Sequence, residues 1–120
     1  MSDVRLSTAP FTLEGRDYQL RCNFNVLADV TEEYGGVLPD PFDQATQLRV
    51  CLSFLAAMVN DYADEQGWPE RYTPKELGRR IDTEAAVLLR LVMPLVVRAV
   101  FARGGTQPED NEKKAGQASR

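Results

Sequence analysis

The sequence contains no histidine and only two cysteines. Without imidazole, the chain lacks the side chain that most often serves as a general base or a metal ligand. It also lacks the phosphate-binding patterns GxxxxGK[ST] and GxGxxG and the nucleophile pattern GxSxG. These absences predict a protein that is not an enzyme and that holds no cofactor or metal ion.

The two cysteines, Cys22 and Cys51, lie among apolar neighbours and show no CxxC spacing. This pattern predicts buried, reduced thiols in a cytosolic protein rather than a disulfide or a metal site. Carboxylates cluster at residues 32–33 and 61–65. At helical spacing such clusters are typical of a solvated face rather than of a site for a hard cation.

A long uninterrupted apolar run and a secretory signal are missing as well. The most apolar stretch, residues 83–103, reads TEAAVLLRLVMPLVVRAVFAR and is interrupted by Arg90 and Arg98. It therefore falls short of the roughly 18 uninterrupted apolar residues of a membrane span. Residues 1–10 have no apolar core preceded by positive charge. We expect a cytoplasmic protein without membrane contact.

The net charge of −4 is distributed unevenly along the chain. Residues 1–70 carry 4 basic and 12 acidic side chains, whereas residues 71–120 carry 10 and 6. The basic pairs at 79–80 and 113–114 are too few, and too far from aromatic clusters, to predict nucleic-acid binding. The uneven charge is typical either of two solvated faces or of head-to-tail self-association, so a homo-oligomer stays open.

Alternating apolar residues predict an N-terminal β-hairpin. Period-two runs flank a turn at Glu14-Gly15, and a lone hairpin must cover its apolar face with helices. The alternating apolar residues are Phe11, Leu13, Tyr18, Leu20, Cys22 and Phe24.

Helical periodicity follows the hairpin. We predict a first helix capped by Asn23 or Asn25 and ended at Gly35-Gly36, and a second from Asp40-Pro41 to residues 62–64. The second helix has a stripe of Leu48, Cys51, Leu52, Leu55, Met58, Val59 and Tyr62, and Val50 and Phe54 lie off that stripe.

Two further helices follow a loop whose Trp68 is expected to cover an edge of the core. Thr73-Pro74-Lys75-Glu76 predicts a capping box and a short third helix. The fourth helix, residues 83–103, is predicted to be the longest, to be recapped at residues 82–83 and to kink before Pro94. Its core-facing stripe is expected to comprise Val87, Leu88, Leu91, Val92, Leu95 and Val96.

These elements predict a mostly helical α+β fold, with a two-stranded antiparallel hairpin packed on about four helices. A single domain is expected over residues 11–103. Residues 1–10 are predicted to be flexible. Residues 104–120 are predicted to be disordered, because their polar composition cannot bury enough surface to offset the ordering entropy.

The last helix carries more apolar surface than one core-facing stripe needs, and so does the second. The surplus side chains are candidates for binding a partner, or else they complete the core or an oligomer seam. They are Leu89, Met93, Val97 and Phe101 on the last helix and Val50 and Phe54 on the second.

Two segments carry a resemblance to a known family. FTLEGRDYQLRCNFNVLADVTEEYGG (residues 11–36) and YTPKELGRRI (residues 72–81) resemble segments of the small tail assembly chaperones of long-tailed bacteriophages and prophages. The resemblance covers residues 11–103. Small tail proteins of gene-transfer agents are similar over the hairpin and first helix.

The resemblance implies a non-catalytic protein of the bacterial host cytoplasm that binds the tape measure protein, with tail tube subunits as a second candidate partner, and that is absent from the mature virion. A longer product made by ribosomal frameshifting is a further implication. Two alternatives stay open. One is a structural virion subunit, such as a minor tail-tube or head–tail connector protein, and the other is a host-encoded adaptor.

Overall fold

The computed structural model describes residues 7–102, and the fold there is α+β and mostly helical, as the sequence predicts. A two-stranded antiparallel hairpin precedes four helices. In chain order the elements are β1 (Ala9–Leu13), β2 (Arg16–Leu20), α1 (Phe24–Glu33), α2 (Gln47–Gln66), α3 (Pro74–Arg80) and α4 (Ala85–Val97), which leads into a π-helical turn (Arg98–Ala102).

The hairpin is closed by the predicted two-residue turn. Glu14 and Gly15 both have positive φ angles, 50° and 81°, which is the backbone that a tight type I′ turn between twisted strands requires. Phe11 pairs with Tyr18 across the ladder, and one face of the hairpin is buried on the helices. The predicted alternation holds as far as Cys22, but Phe24 is exposed because it begins α1.

Helix α2 occupies the centre of the molecule. It has 20 residues and packs against β2, α1, α3 and α4. Almost every side chain between residues 50 and 59 is buried, so its apolar surface extends around the cylinder rather than along one stripe. The sequence analysis predicts the last helix to be the longest, and that prediction is wrong, because α4 has 13 residues and α2 has 20.

Local hydrogen bonds determine where α1 and α2 begin. Asn23 caps α1, since its side chain accepts a hydrogen bond of 3.0 Å from the backbone N–H of Val26. The predicted start of α2 at Asp40-Pro41 is wrong, because residues 41–46 form turns. There Asp40 and Asp43 accept hydrogen bonds from backbone N–H groups two residues later. Aspartate favours such local turns, and here they delay the helix until residue 47.

The predicted capping box of α3 is present. The Thr73 hydroxyl accepts a hydrogen bond of 3.1 Å from the Glu76 N–H, and the Glu76 carboxylate accepts one of 2.9 Å from the Thr73 N–H. The second of these bonds is the main cause that lowers the pKa of Glu76. Local sequence therefore determines where α3 begins.

Thr73→Ala is expected to lower the free energy of unfolding by about 1 kcal/mol, because the Glu76 N–H loses its acceptor. Thr83→Ala is a matched control, since Thr83 precedes α4 but Glu84 occupies its N-cap position, without a side-chain hydrogen bond. Urea unfolding followed by circular dichroism measures both variants. An equal loss of stability in the two would contradict a capping role for Thr73.

The last helix is shorter than predicted. Helix α4 has 13 residues, begins at Ala85 rather than at residues 82–83, and contains Pro94. Leu88, Val92, Leu95 and Val96 are buried as predicted, whereas Val87 is exposed. A kink before Pro94 stays a prediction, and the hydrogen-bonding pattern changes at Arg98, where the π-helical turn begins.

The predicted ends of the chain lie mostly outside the described residues. Residues 1–6 of the predicted flexible segment and the whole predicted disordered segment, 104–120, are not described. Within the described part, β1 already begins at Ala9. The ordered fold thus starts two residues earlier than the predicted domain boundary at residue 11.

Candidate partner-binding surface

Two of the six predicted partner-binding residues are core residues. Val50 and Phe54 on α2 are 1% and 0% exposed. They lie off the predicted stripe, but α2 is covered by other elements around most of its circumference. Their burial removes them from any surface that a partner contacts in this fold, which corrects the sequence-based prediction.

The other four predicted residues follow one line along α4 and the π-helical turn. Leu89, Met93, Val97 and Phe101 are spaced four residues apart, and side chains at that spacing lie one above the other on a helix. Leu89 and Met93 are half-buried against the core, Val97 is half-buried, and Phe101 is 48% exposed. We call these four residues the α4 strip.

An aromatic side chain that sequence reasoning missed lies at the end of this strip. Phe42, in the turns before α2, is 56% exposed, and its ring centroid lies 5.5 Å from that of Phe101. In the sequence, Phe42 lies in the run Asp40-Pro41-Phe42-Asp43. Aspartate and proline favour turns, so this run could have indicated an aromatic side chain in a turn. Together the two rings form an exposed aromatic pair.

Two arginines border the α4 strip. Arg90 and Arg98 are exposed and follow Leu89 and Val97 in the chain. Among residues 7–102 neither guanidinium forms a salt bridge or a hydrogen bond to a side chain. By contrast, four other arginines form salt bridges at 2.8–3.0 Å. The pairs are Arg16–Glu70, Arg21–Glu65, Arg71–Asp64 and Arg80–Glu14.

The polar groove between α1, α2 and the segment before α3 is occupied by internal hydrogen bonds. The buried Ser53 hydroxyl donates to Glu33 at 2.9 Å and lies 3.0 Å from the Tyr34 hydroxyl. Asn60 exchanges two hydrogen bonds with the backbone of Tyr72. Burial, followed by the nearby Asp61 carboxylate, raises the pKa of Asp29. These hydrogen bonds connect α1 and α2 to each other and α2 to the segment before α3.

Trp68 covers an edge of the core, as predicted. It is half-buried, and its ring lies edge-on to Tyr18 and Tyr62 at centroid distances of 5.6 and 5.7 Å. The Arg16 guanidinium lies 4.2 Å from the ring centroid and also binds Glu70. The Trp68 ring therefore makes its contacts within the chain, with Tyr18, Tyr62 and Arg16.

Cys22 and Cys51 are both buried thiols, as predicted. Burial raises the pKa of the Cys51 thiol to about 12. The reactive form of cysteine is the thiolate. Cys51 is accordingly a core side chain rather than a nucleophile.

We expect the stability advantage of the unchanged chain over Cys51→Ala to shrink above pH 9. The unfolded thiol ionises near its ordinary pKa, whereas the folded thiol keeps its proton to about pH 12. A raised folded pKa means that the contribution is complete below pH 9 and is lost as the pH rises, by about 1.4 kcal/mol per unit. Urea unfolding of both proteins at pH 8 to 10.5 measures it. A constant difference across this range would contradict the assignment.

Comparison with known proteins adds no relative. No protein family, curated protein or solved structure matches this chain. Within residues 7–102, no helix combines the length and apolar character needed to cross a bilayer. In the same residues, no three His, Cys, Asp or Glu side chains are grouped so that they could hold a metal ion. The candidate site is the α4 strip with Phe42, where the exposed apolar line meets the aromatic pair.

Proposed function

We propose that this protein is a tail assembly chaperone of a long-tailed bacteriophage or prophage, a non-catalytic protein that binds the tape measure protein. The observation that carries the proposal is the α4 strip, an apolar line that ends on the exposed aromatic pair of Phe42 and Phe101. The partner's identity comes from the resemblance of residues 11–103 to that family. The same resemblance makes tail tube subunits a second candidate partner.

A helix packed along α4 is the binding mode that fits this surface. An amphipathic helix binds a groove or face through residues three or four apart, which matches the spacing within the α4 strip. Covering the exposed halves of Phe42 and Phe101 would remove roughly 200 Å² of apolar surface from water, or about 5 kcal/mol as an upper estimate. Two exposed aromatic rings are suited to be the energetic centre of such an interface.

A chaperone role is supported by the exposed apolar line of the α4 strip and Phe42, which offers a surface to an apolar helical partner. We place the protein in the cytoplasm of the bacterial host, where it keeps an apolar helical partner soluble before the tail polymerises. On this proposal it is absent from the finished virion.

Co-expression with the tape measure protein of the same phage tests the function. We expect the tape measure protein to move from the insoluble to the soluble fraction and to co-purify with this chain. Mass spectrometry of purified particles provides a second test, since a chaperone should be missing from them. Unchanged solubility without co-purification, or an abundant chain in the particles, would contradict the proposal; the latter result indicates a structural subunit.

A further inference from the structure

We infer that the helix bound along the α4 strip is acidic, with carboxylates about two turns apart beside its apolar stripe. This inference rests on the proposed function, since it names the chemistry of the partner of the same site. It is carried by the placement of Arg90 and Arg98 at the border of an exposed apolar line.

The two arginines are the sole charged side chains between residues 85 and 102. They are eight residues apart, which corresponds to about 12 Å along a helix axis. Arg90 is three residues before Met93, and Arg98 is three residues before Phe101, so each lies beside a strip residue on the helix surface. A helix lying along the strip would therefore pass two positive charges at a separation of two turns.

Four of the eight arginines in residues 7–102 form ion pairs, and the other four, Arg49, Arg79, Arg90 and Arg98, form none; of these four, Arg90 and Arg98 are the two that lie beside the α4 strip. Arg16 of the hairpin pairs with Glu70 in the loop between α2 and α3, Arg21 pairs with Glu65 at the end of α2, and Arg80 of α3 pairs with Glu14 in the hairpin turn. Arg90 and Arg98 have no such partner within residues 7–102. Carboxylates spaced seven or eight residues apart on a partner helix would pair with both, and opposite charges at a rim fix register and favour the right partner.

Carboxylates of this chain near the strip are held in their own turns. Asp40 and Asp43 flank Phe42 in the chain, and each carboxylate accepts a hydrogen bond from a backbone N–H. They place negative charge at the Phe101 end of the strip. The acidic positions of the partner helix are accordingly those facing Arg90 and Arg98, and its residue opposite Phe42 is not acidic.

A second copy of this chain and an anionic membrane fit less well. Helix α1 carries exposed acidic side chains, but its Val26 and Val30 are buried against the core and Phe24 is its one large apolar side chain that is mostly exposed, so it offers no continuous apolar stripe beside those acids. Recruitment to an anionic bilayer generally uses clusters of four to eight basic residues. The strip has two.

Two synthetic helices with the full-length protein test the inference. The fluorescent peptides, roughly 20 residues long, share one alanine-rich background and one leucine stripe, and carry either two glutamates or two lysines seven residues apart. Fluorescence anisotropy at low salt should show about tenfold tighter binding of the glutamate peptide, the effect of two exposed ion pairs. Salt should reduce the difference, because it screens exposed charges.

Charge reversal supplies the matched controls. Arg90→Glu with Arg98→Glu should reverse the preference, so that the lysine peptide binds more tightly. Lys75→Glu with Arg79→Glu changes the net charge equally on the exposed side of α3 and should leave the preference for glutamate unchanged. Circular dichroism verifies that both double variants are folded. Equal binding of the two peptides, or an unchanged preference after reversal at residues 90 and 98, overturns the inference.

Other outcomes separate this inference from the proposed function. If neither peptide binds while the tape measure protein still co-purifies, the acidic helix is overturned and the function is retained. If the glutamate peptide binds but the tape measure protein does not co-purify, the inference is supported and the named partner is wrong. Arginine-dependent binding to phosphatidylserine vesicles, or arginine-dependent self-association, without peptide binding overturns the inference in favour of a membrane or a second copy.

Discussion

Replacing Phe54 with alanine is expected to lower the free energy of unfolding by about 3–5 kcal/mol. The Phe54 side chain is fully buried, and α2 packs against four other elements around it. Its removal would lose the apolar transfer energy and leave a cavity that the surrounding helices fill only in part. A loss of this size is a large fraction of the stability of a domain of this length.

The matched control for Phe54→Ala is Leu48→Ala in the first turn of the same helix. Leu48 is 46% exposed, so its truncation should cost less than about 1 kcal/mol. Urea unfolding followed by circular dichroism measures both variants. If Phe54→Ala were as stable as Leu48→Ala and instead lost partner binding, Phe54 would belong to the interface, and the central position of α2 would be wrong.

Replacing Met93 and Val97 together with glutamate is expected to weaken partner binding by roughly 100-fold or more while the protein stays folded. Both side chains are half-buried on the α4 strip, so the new carboxylates can reach water in the free protein. In the complex they would be desolvated within an apolar contact, which costs several kcal/mol. Repulsion from an acidic partner helix would add to that loss.

Two control variants on α4 distinguish a loss of binding from a loss of folding in this double variant. Ala85→Glu with Ala86→Glu adds the same charge at exposed positions in the first turn, and should preserve both fold and binding. Leu88→Glu places a carboxylate on the buried side of α4 and should unfold the protein. Pull-down of the tape measure protein and thermal unfolding are measured for each. Unfolding of Met93→Glu with Val97→Glu would show that the strip belongs to the core.

Features specified by a few neighbouring residues could be predicted from the sequence. The hairpin turn, the Asn23 cap and the capping box at Thr73 each depend on groups within about four residues. The end of α1 at Gly35-Gly36 is of the same kind, since both glycines adopt positive φ. Short-range hydrogen bonding decides these positions, so the local pattern is sufficient.

Features that depend on the packing of distant elements could not be predicted. Val50 and Phe54 were predicted to contact a partner because they lie off the stripe of α2, but both are buried, and α2 packs against β2 and α1, which precede it in the chain, and against α3 and α4, which follow it. Conversely, the last helix was predicted to be the longest because of its composition, yet α4 has 13 residues and Val87 of its predicted core-facing stripe is exposed. Periodicity identifies an apolar surface but does not say which neighbour covers it.

The candidate site was predicted in part. The spacing of Leu89, Met93, Val97 and Phe101 was readable from the sequence, because four-residue steps stay on one side of a helix. Phe42 was not found, since it is distant in sequence from Phe101 and was placed inside a helix that begins five residues later. A contact between a turn and the end of another helix depends on the tertiary fold.

Site-specific photocrosslinking tests most directly whether the partner binds at the α4 strip. A photoreactive phenylalanine analogue is introduced at Phe101 or at Phe24, two exposed phenylalanines on different helical segments, and each protein is co-expressed with the tape measure protein and irradiated. We predict a crosslink to the tape measure protein from residue 101 and none from residue 24. A crosslink from residue 24 alone, or from residue 101 only to a second copy of this chain, would contradict the proposed site.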